Sequence, residues 1–127
     1  MNVYILVVDD EPDVEALFRQ QFRRELRAGR FQMEFASSGP DALKRAAEVR
    51  DPSLILILSD INMPNMDGIE MLGKIRANAQ WQSVPVIMIT TEGSQEKVMQ
   101  ALQLGASGYV RKPFTPDQIK EKLVGLV

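Results

Sequence analysis

Polar side chains that could bind a cation and an anion follow four apolar runs of this sequence. They comprise three carboxylates, one hydroxyl and one amine, on Asp9, Asp10, Asp60, Thr90 and Lys112. Ligands of open parallel sheets bind beyond the carboxyl ends of the strands, so we expect these five side chains to converge at one edge. Taken singly, each is also typical of a helix cap, a turn or a solvated surface charge. Their shared position is what indicates a site.

A cluster of three carboxylates needs cations. Two carboxylates about 5 Å apart repel by roughly 3 kcal/mol at an effective dielectric constant near 20. One divalent ion together with Lys112 would balance the three negative charges. Oxygen ligands without His or Cys favour a hard cation, so we predict Mg²⁺, with Mn²⁺ as a possible substitute. A metal, a carboxylate, a hydroxyl and a lysine are the groups that handle a phosphoryl group, and an ionised carboxylate can attack phosphorus without a base.

Composition excludes several other classes of function. The chain has no Cys and no His, which rules out thiol nucleophiles, Ser-His dyads and imidazole metal ligands. Fifteen basic and seventeen acidic residues give a net charge of −2, so we expect neither direct nucleic-acid binding nor membrane binding. The 127 residues suffice for one domain, 1–127, and the apolar start carries neither a basic leader nor a cleavage site. We therefore expect a cytoplasmic protein.

Apolar runs and apolar helical stripes alternate five times along the chain. The predicted strands are Val3–Val8, Phe31–Ala36, Leu54–Leu58, Val84–Thr90 and Gly108–Arg111. The predicted helices carry the stripes Val14/Leu17/Phe18/Phe22/Leu26, Ala42/Leu43/Ala46/Ala47, Ile69/Leu72/Ile75, Val98/Ala101/Leu102 and Ile119/Leu123/Leu126. We expect Gly105 to end the fourth helix in a left-handed conformation. This alternation predicts an α/β fold, a doubly wound five-stranded parallel sheet.

The motifs VVDDEP, SDINMPNMDGIEML, VIMITTEG and LGASGYVRKPF resemble those of the receiver domains of two-component response regulators. The resemblance covers essentially the whole chain and is greatest for the single-domain chemotaxis regulators. It implies a (βα)5 flavodoxin-like fold with strand order 2-1-3-4-5. The interval from Asp10 to Asp60 (60 − 10 = 50 residues) is longer than in the minimal chemotaxis type, and we place the excess around residues 27–30.

The resemblance also implies roles for the clustered residues. Asp60 would accept a phosphoryl group from a histidine kinase, a phosphotransfer protein or a small acyl phosphate. Asp10, Asp60 and the backbone carbonyl of Asn62 would ligate Mg²⁺, with Asp9 acting through a water molecule. Lys112 would pair with the phosphoryl oxygens and would precede a cis peptide bond to Pro113.

Further roles concern the response to phosphorylation. Thr90 would be the switch hydroxyl, and Tyr109 would move from an exposed to a buried position. This would alter the face formed by the fourth helix, the fifth strand and the fifth helix, where an unknown protein target would bind. Thr91 would narrow the phosphorylation pocket, and Asn62 and Glu92 would flank the hydrolytic water, predicting a short-lived acyl phosphate.

The resemblance implies a regulatory switch in a phosphorelay that assists only its own phosphorylation and dephosphorylation. The main alternative is a Mg²⁺-dependent aspartyl-phosphate hydrolase of the haloacid dehalogenase type, but the position for its second Asp holds Asn62. An FMN-binding electron carrier is disfavoured by the acidic first loop, and a nucleoside triphosphatase by the lack of a glycine-rich phosphate loop. A freestanding regulator, a domain of a longer protein and a receiver that dimerises all remain open.

Overall fold

The computed structural model describes residues 4–29, 32–48, 54–61, 63, 66–79, 81–90, 95–112 and 114–124. Its five strands are β1 (Tyr4–Val8), β2 (Gln32–Ala36), β3 (Leu54–Asp60), β4 (Val86–Thr90) and β5 (Gly108–Arg111). They form one sheet in the order β2-β1-β3-β4-β5, and every neighbouring pair is parallel. The predicted doubly wound, flavodoxin-like topology is confirmed.

Among the described residues, six helices connect or follow these strands. They are α1 (Asp13–Gln21), α2 (Arg23–Arg27), α3 (Gly39–Glu48), α4 (Gly68–Ala77), α5 (Gln95–Gln103) and α6 (Pro116–Val124). The predicted fourth and fifth helices are therefore α5 and α6. Within the described residues, no helix is both long enough and apolar enough to cross a bilayer.

The predicted first helix is wrong in one respect, because the chain forms two helices that meet at Phe22. The backbone there has φ −109° and ψ 23°, outside the helical region. The Phe22 ring is completely buried and stacks on Phe18 with a centroid distance of 5.9 Å. Hydrogen bonds from Phe22 N to Phe18 O and from Leu26 N to Phe22 O, both 3.0 Å, continue the turn through the break. Apolar spacing alone does not reveal such a break.

Two strand boundaries also differ from the prediction. Val84 closes a turn by donating its N–H to Trp81 O, and Pro85 has no N–H, so β4 begins at Val86. β3 continues past Leu58 to include Asp60. The phosphoacceptor candidate is therefore the last residue of a strand rather than the first residue of a loop.

The core consists of two apolar layers, one on each face of the sheet, because successive strand residues point to opposite faces. The strand residues of the first layer, which packs against α3, α4 and α5, include Leu6, Val8, Ile57, Val86 and Met88. Those of the second layer, which packs against α1 and α6, include Ile5, Val7, Leu56, Leu58, Ile87 and Ile89. Helices on both faces thus hold the strand ends in fixed relative positions.

Of the predicted stripe residues whose burial is described, three do not lie in this core. Leu17 and Leu102 are 44% and 38% exposed, and Ala47 is also exposed. These three residues lie at the edges of their apolar stripes. A side chain at such an edge can keep the helical spacing and still face solvent. Gly105 has φ 105°, which confirms the predicted left-handed end of α5.

Candidate functional site

The carboxyl ends of β1 and β3 bring three carboxylates together. Asp9 and Asp10 directly follow β1, and Asp60 ends β3. One carboxylate oxygen from each of the three lies within 4.8 Å of the others. Asp9 and Asp60 are each only 6% exposed, whereas Asp10 is exposed. The convergence expected from the sequence is present, with two acids in the floor of the site and one at its mouth.

Asp9 is held by both its backbone and its side chain. Its N–H donates to Ala36 O at 3.0 Å, extending the pairing of β1 with β2, and its Oδ1 accepts from Glu11 N at 2.9 Å. Neither Asp9 nor Asp10 caps α1, since the residue preceding that helix is Pro12 and makes no side-chain cap. The helix-cap interpretation of these acids is therefore not supported.

Lys112 brings a cation to the same edge. Its Nζ lies 2.9 Å from Asp9 Oδ2 and 3.8 Å from Asp60 Oδ2. Burial lowers the pKa of Lys112, but the hydrogen bond to Asp9 and the charges of Asp60, Asp9 and Glu11 outweigh it, so the pKa is raised. The amine therefore remains charged and pairs with two carboxylates from different strands.

Thr90 ends β4 and is buried, with 3% of its surface exposed. Its carbonyl accepts a 2.7 Å hydrogen bond from Lys112 N, which ties the end of β4 to the residue after β5. Thr90 and Tyr109 both line a cavity of about 280 Å³ between α5 and β5. Tyr109 is 45% exposed, so the predicted switch residues share a cavity while the phenol ring stands partly in solvent.

Gly68, whose role was not predicted from the sequence, shapes the backbone beside Asp60. A Cβ at Gly68 would lie 2.3 Å from Asp60 O and 2.8 Å from the Met88 side chain, far inside contact distance. Gly68 N also donates to Ile61 O at 2.8 Å, and Asp67 caps α4 by accepting from Glu70 N. The pair Asp67-Gly68, shortly after the candidate acceptor Asp60, could have indicated this role. Asp is a frequent helix cap, and Gly permits the close approach of another backbone.

Several predicted site residues fall outside the described part of the chain. They are Asn62, Thr91, Glu92 and Pro113, and with Pro113 the expected cis peptide bond.

The donor set fits a hard divalent cation. Three carboxylates (−3) and one ammonium (+1) leave a formal charge of −2, and each carboxylate offers an oxygen to a common centre. Such oxygen ligands suit Mg²⁺ or Ca²⁺ rather than a soft metal. The three carboxylates can hold a divalent ion beside Asp60, and an oxygen of Asp60 also lies 3.8 Å from the ammonium group of Lys112.

Comparison with known proteins agrees with this geometry. Residues 5–124 match the sequence profile of the response regulator receiver domain. The chain is 34% identical to a chemotaxis protein CheY homolog of Campylobacter jejuni over 119 residues, which is 94% of this chain and 88% of that protein.

Solved structures of a chemotaxis protein and of another receiver domain have the same fold. The chain is similar to CheY4 of Vibrio cholerae crystallised at low pH, with a TM-score of 0.85, 31% identity and 100% of both chains covered. It is also similar to the receiver domain of NtrX from Brucella abortus, with a TM-score of 0.82, 27% identity and 96% of each chain covered. The profile match, the sequence relatives and the shared strand order together place this chain in the family of response regulator receiver domains.

Proposed function

We propose that residues 1–127 form a receiver domain in which Asp60 accepts a phosphoryl group from a histidine kinase or a phosphotransfer protein. Membership of a family of phosphorylation-activated switches supports the class of function. The observation that carries the assignment to Asp60 is its position at the end of β3, with Lys112 Nζ 3.8 Å away and two other carboxylates around it.

The transfer follows from the charges of these groups. An ionised Asp60 oxygen attacks phosphorus, a new O–P bond forms, and the P–N bond of a donor phosphohistidine breaks, with its electron pair leaving on the imidazole. Asp60 needs no base because an ionised carboxylate has no proton to lose. Lys112 and Thr90 donate hydrogen bonds to the phosphoryl oxygens, stabilising the charge that develops on them.

Asp9, Asp10, Asp60 and the carbonyl of Asn62 would hold Mg²⁺, or Mn²⁺ in its place. When bound, the ion neutralises phosphoryl oxygens that Lys112 alone cannot balance. The acidic cluster supports this role because its formal charge of −2 matches a divalent ion. Thr91 would limit access to the phosphoryl group, and Asn62 and Glu92 would flank the water that hydrolyses it.

Phosphorylation changes the charge of Asp60 from −1 to about −2. The added oxygens attract the Thr90 hydroxyl, and this frees part of the cavity that Thr90 shares with Tyr109. The face of α5, β5 and α6 then changes shape and binds a protein target. Moving a two-state equilibrium from 1:99 to 99:1 takes roughly 5.5 kcal/mol, more than one new hydrogen bond supplies, so the target completes the shift.

The chain assists its own phosphorylation and dephosphorylation but does not turn over an external substrate. The family match supports this regulatory role and lends no support to the haloacid dehalogenase alternative. Incubation with small phosphomonoesters separates the two functions. A hydrolase releases phosphate from these esters continuously, whereas a receiver releases none, because a phosphomonoester is too weak a donor to form an acyl phosphate on Asp60.

The direct test is incubation with a small acyl phosphate and Mg²⁺, followed by native mass measurement. We expect the unsubstituted chain to gain one phosphoryl group and Asp60→Asn to gain none. Asp117→Asn, an exposed acid in the first turn of α6, is the matched control and should be labelled normally. Labelling of a folded Asp60→Asn, or no labelling of the unsubstituted chain, would refute the assignment.

The lifetime of the acyl phosphate tests the roles of two further residues. We expect Asn62→Ala and Glu92→Ala to change the decay rate of phosphorylated Asp60, measured by mass after removal of the donor. Unchanged decay in both variants would remove these residues from the hydrolytic path and leave the acceptor assignment intact.

A further inference from the structure

The solvent-facing side of α1 and α2 carries a concentration of arginines that the phosphorylation site does not use. The exposed residues are Arg19 on α1 and Arg23, Arg24 and Arg27 on α2. The whole chain has a net charge of −2, so this surface has a local charge opposite in sign to that of the chain.

Two exposed arginines on other helices are each paired with an acid one turn away. Arg19 Nε lies 2.9 Å from Glu15 Oε2, and Arg45 Nε lies 3.2 Å from Asp41 Oδ2. Both are i,i+4 pairs of the kind that stabilise an exposed helix. The charges of these two exposed arginines are thus neutralised within their own helices.

The three arginines of α2 lack such a partner. Arg23, Arg24 and Arg27 form no ion pair with any residue that the structure describes. The one acid of this helix, Glu25, is turned to the other side and pairs with Lys120 of α6. Within the described part of the chain, three like charges thus remain together on one short helix without a compensating acid.

The core holds this helix in a fixed orientation. Phe22, at its start, is completely buried, and Leu26 packs against the core layer under α1. In an ideal helix, Arg23, Arg24 and Arg27 fall within an arc of about 100° and a length of about 6 Å. The three guanidinium groups therefore point outward as one small, pre-oriented patch.

We propose that this arginine patch of α2 binds an acidic surface of a partner protein. Guanidinium groups match carboxylates in a two-point geometry, which suits Asp and Glu side chains on a small surface. A membrane or a long nucleic acid would extend beyond the patch and meet the acidic remainder of the chain, such as Glu15 and Glu121. α1 starts near the carboxyl edge of the sheet and α2 leads towards the start of β2, so the patch lies away from the carboxylates of the phosphorylation site.

The test uses the full chain and a short, fluorescently labelled poly-L-glutamate peptide at low ionic strength, with binding measured by anisotropy. We expect Arg23→Gln/Arg27→Gln to weaken binding about fivefold, an effect consistent with the loss of two exposed ion pairs. The matched control is Lys44→Gln/Lys74→Gln, which removes two exposed charges from α3 and α4. Both double variants have the same net charge of −4 (−2 − 2 = −4), so a loss in the first alone is specific to the patch.

A second pair of measurements locates the binding. Arg23→Lys/Arg27→Lys should bind more tightly than the Gln variant but less tightly than the unsubstituted chain, because it keeps the charge and loses the planar fork. In the unsubstituted chain, the peptide should shift the side-chain Nε–H magnetic resonance signals of Arg23, Arg24 and Arg27 more than that of Arg76.

Three results would overturn the proposal. They are absence of peptide binding at low salt, an equal loss of affinity in the two double variants, and tighter binding to phosphatidylserine vesicles or duplex DNA than to the peptide at equal salt. The last result would assign the patch to a lipid or a nucleic acid. Acyl phosphate labelling of Asp60 is independent of all three.

Discussion

Lys112 and Arg76 are partly buried cations at opposite edges of the sheet, and their partners differ in kind. Lys112 Nζ contacts the carboxylates of Asp9 and Asp60 at the carboxyl edge. Arg76 lies at the amino edge and, among the residues that the structure describes, donates only to backbone carbonyls, with Nη1 2.7 Å from Val84 O and Nη2 2.7 Å from Gly105 O. Burial lowers the pKa of Arg76, whereas the pKa of Lys112 is raised.

The partners indicate different roles for the two cations: Lys112 belongs to the candidate site, whereas Arg76 stabilises the fold. At the amino edge, the hydrogen bonds of Arg76 to described residues join α4 to the segments that precede β4 and β5, so the guanidinium stabilises the packing of these elements. At the carboxyl edge, three carboxylates outnumber one ammonium, and the excess negative charge is available to a bound cation. Substitutions at the two edges should therefore change different measurable quantities.

The largest expected effect is that of Lys112→Gln on phosphoryl transfer. Removing one pre-oriented donor of this kind slows a reaction about a hundredfold. We expect that decrease in the rate of Asp60 labelling by a small acyl phosphate, followed by mass measurement. Lys74→Gln, an exposed lysine on α4, should leave the rate unchanged. Equal rates in Lys112→Gln and the unsubstituted chain would remove Lys112 from the transfer step.

Gly68→Ala should lower the free energy of unfolding by about 2–3 kcal/mol, because the new Cβ collides with the Asp60 carbonyl. Urea denaturation measures this change. Gly73, in the same helix, has open space where a Cβ would lie, with no neighbouring atom within 4 Å, so Gly73→Ala should stabilise the chain by about 0.5–1 kcal/mol. Two changes of the same sign would contradict the close approach at Gly68.

Arg76→Gln should reduce the free energy of unfolding by about 1–2 kcal/mol, since it removes hydrogen bonds to two backbone carbonyls. Asp60 labelling should remain within about twofold of the unsubstituted rate, because labelling depends on the opposite edge. Denaturation and labelling on one preparation measure both. A large loss of labelling in a folded Arg76→Gln would show that the two edges are coupled.

Asp10→Asn should have the smallest effect and a sign that depends on metal. In the presence of a chelator it relieves repulsion among the three carboxylates and raises the free energy of unfolding by about 0.5 kcal/mol, since Asp10 is exposed and screened. With excess Mg²⁺ it should instead be less stable than the unsubstituted chain, because it binds the ion less tightly. Glu121→Gln is the control, and an unchanged sign would argue against a metal at Asp10.

Local pattern was sufficient for the framework of the fold. Alternating apolar runs and helical stripes predicted the five strands and the helical segments that follow them. The acids that follow β1 and the acid that ends β3 predicted the edge at which a site forms. The break at Phe22 was not predictable, because the spacing from Val14 to Leu26 is equally compatible with one straight helix. The role of Gly68 was missed because it depends on the distance of a carbonyl contributed by another element.

The sequence by itself determined which residues are apolar at periods of two and of about 3.6, and hence the class of fold and the chain order of its polar strand ends. Only the tertiary structure decided that Lys112 lies 2.9 Å from Asp9, 103 residues earlier, and that Arg76 braces the segment before β5. Periodicity is a property of neighbouring residues. A distance between remote side chains depends on how all the layers pack together.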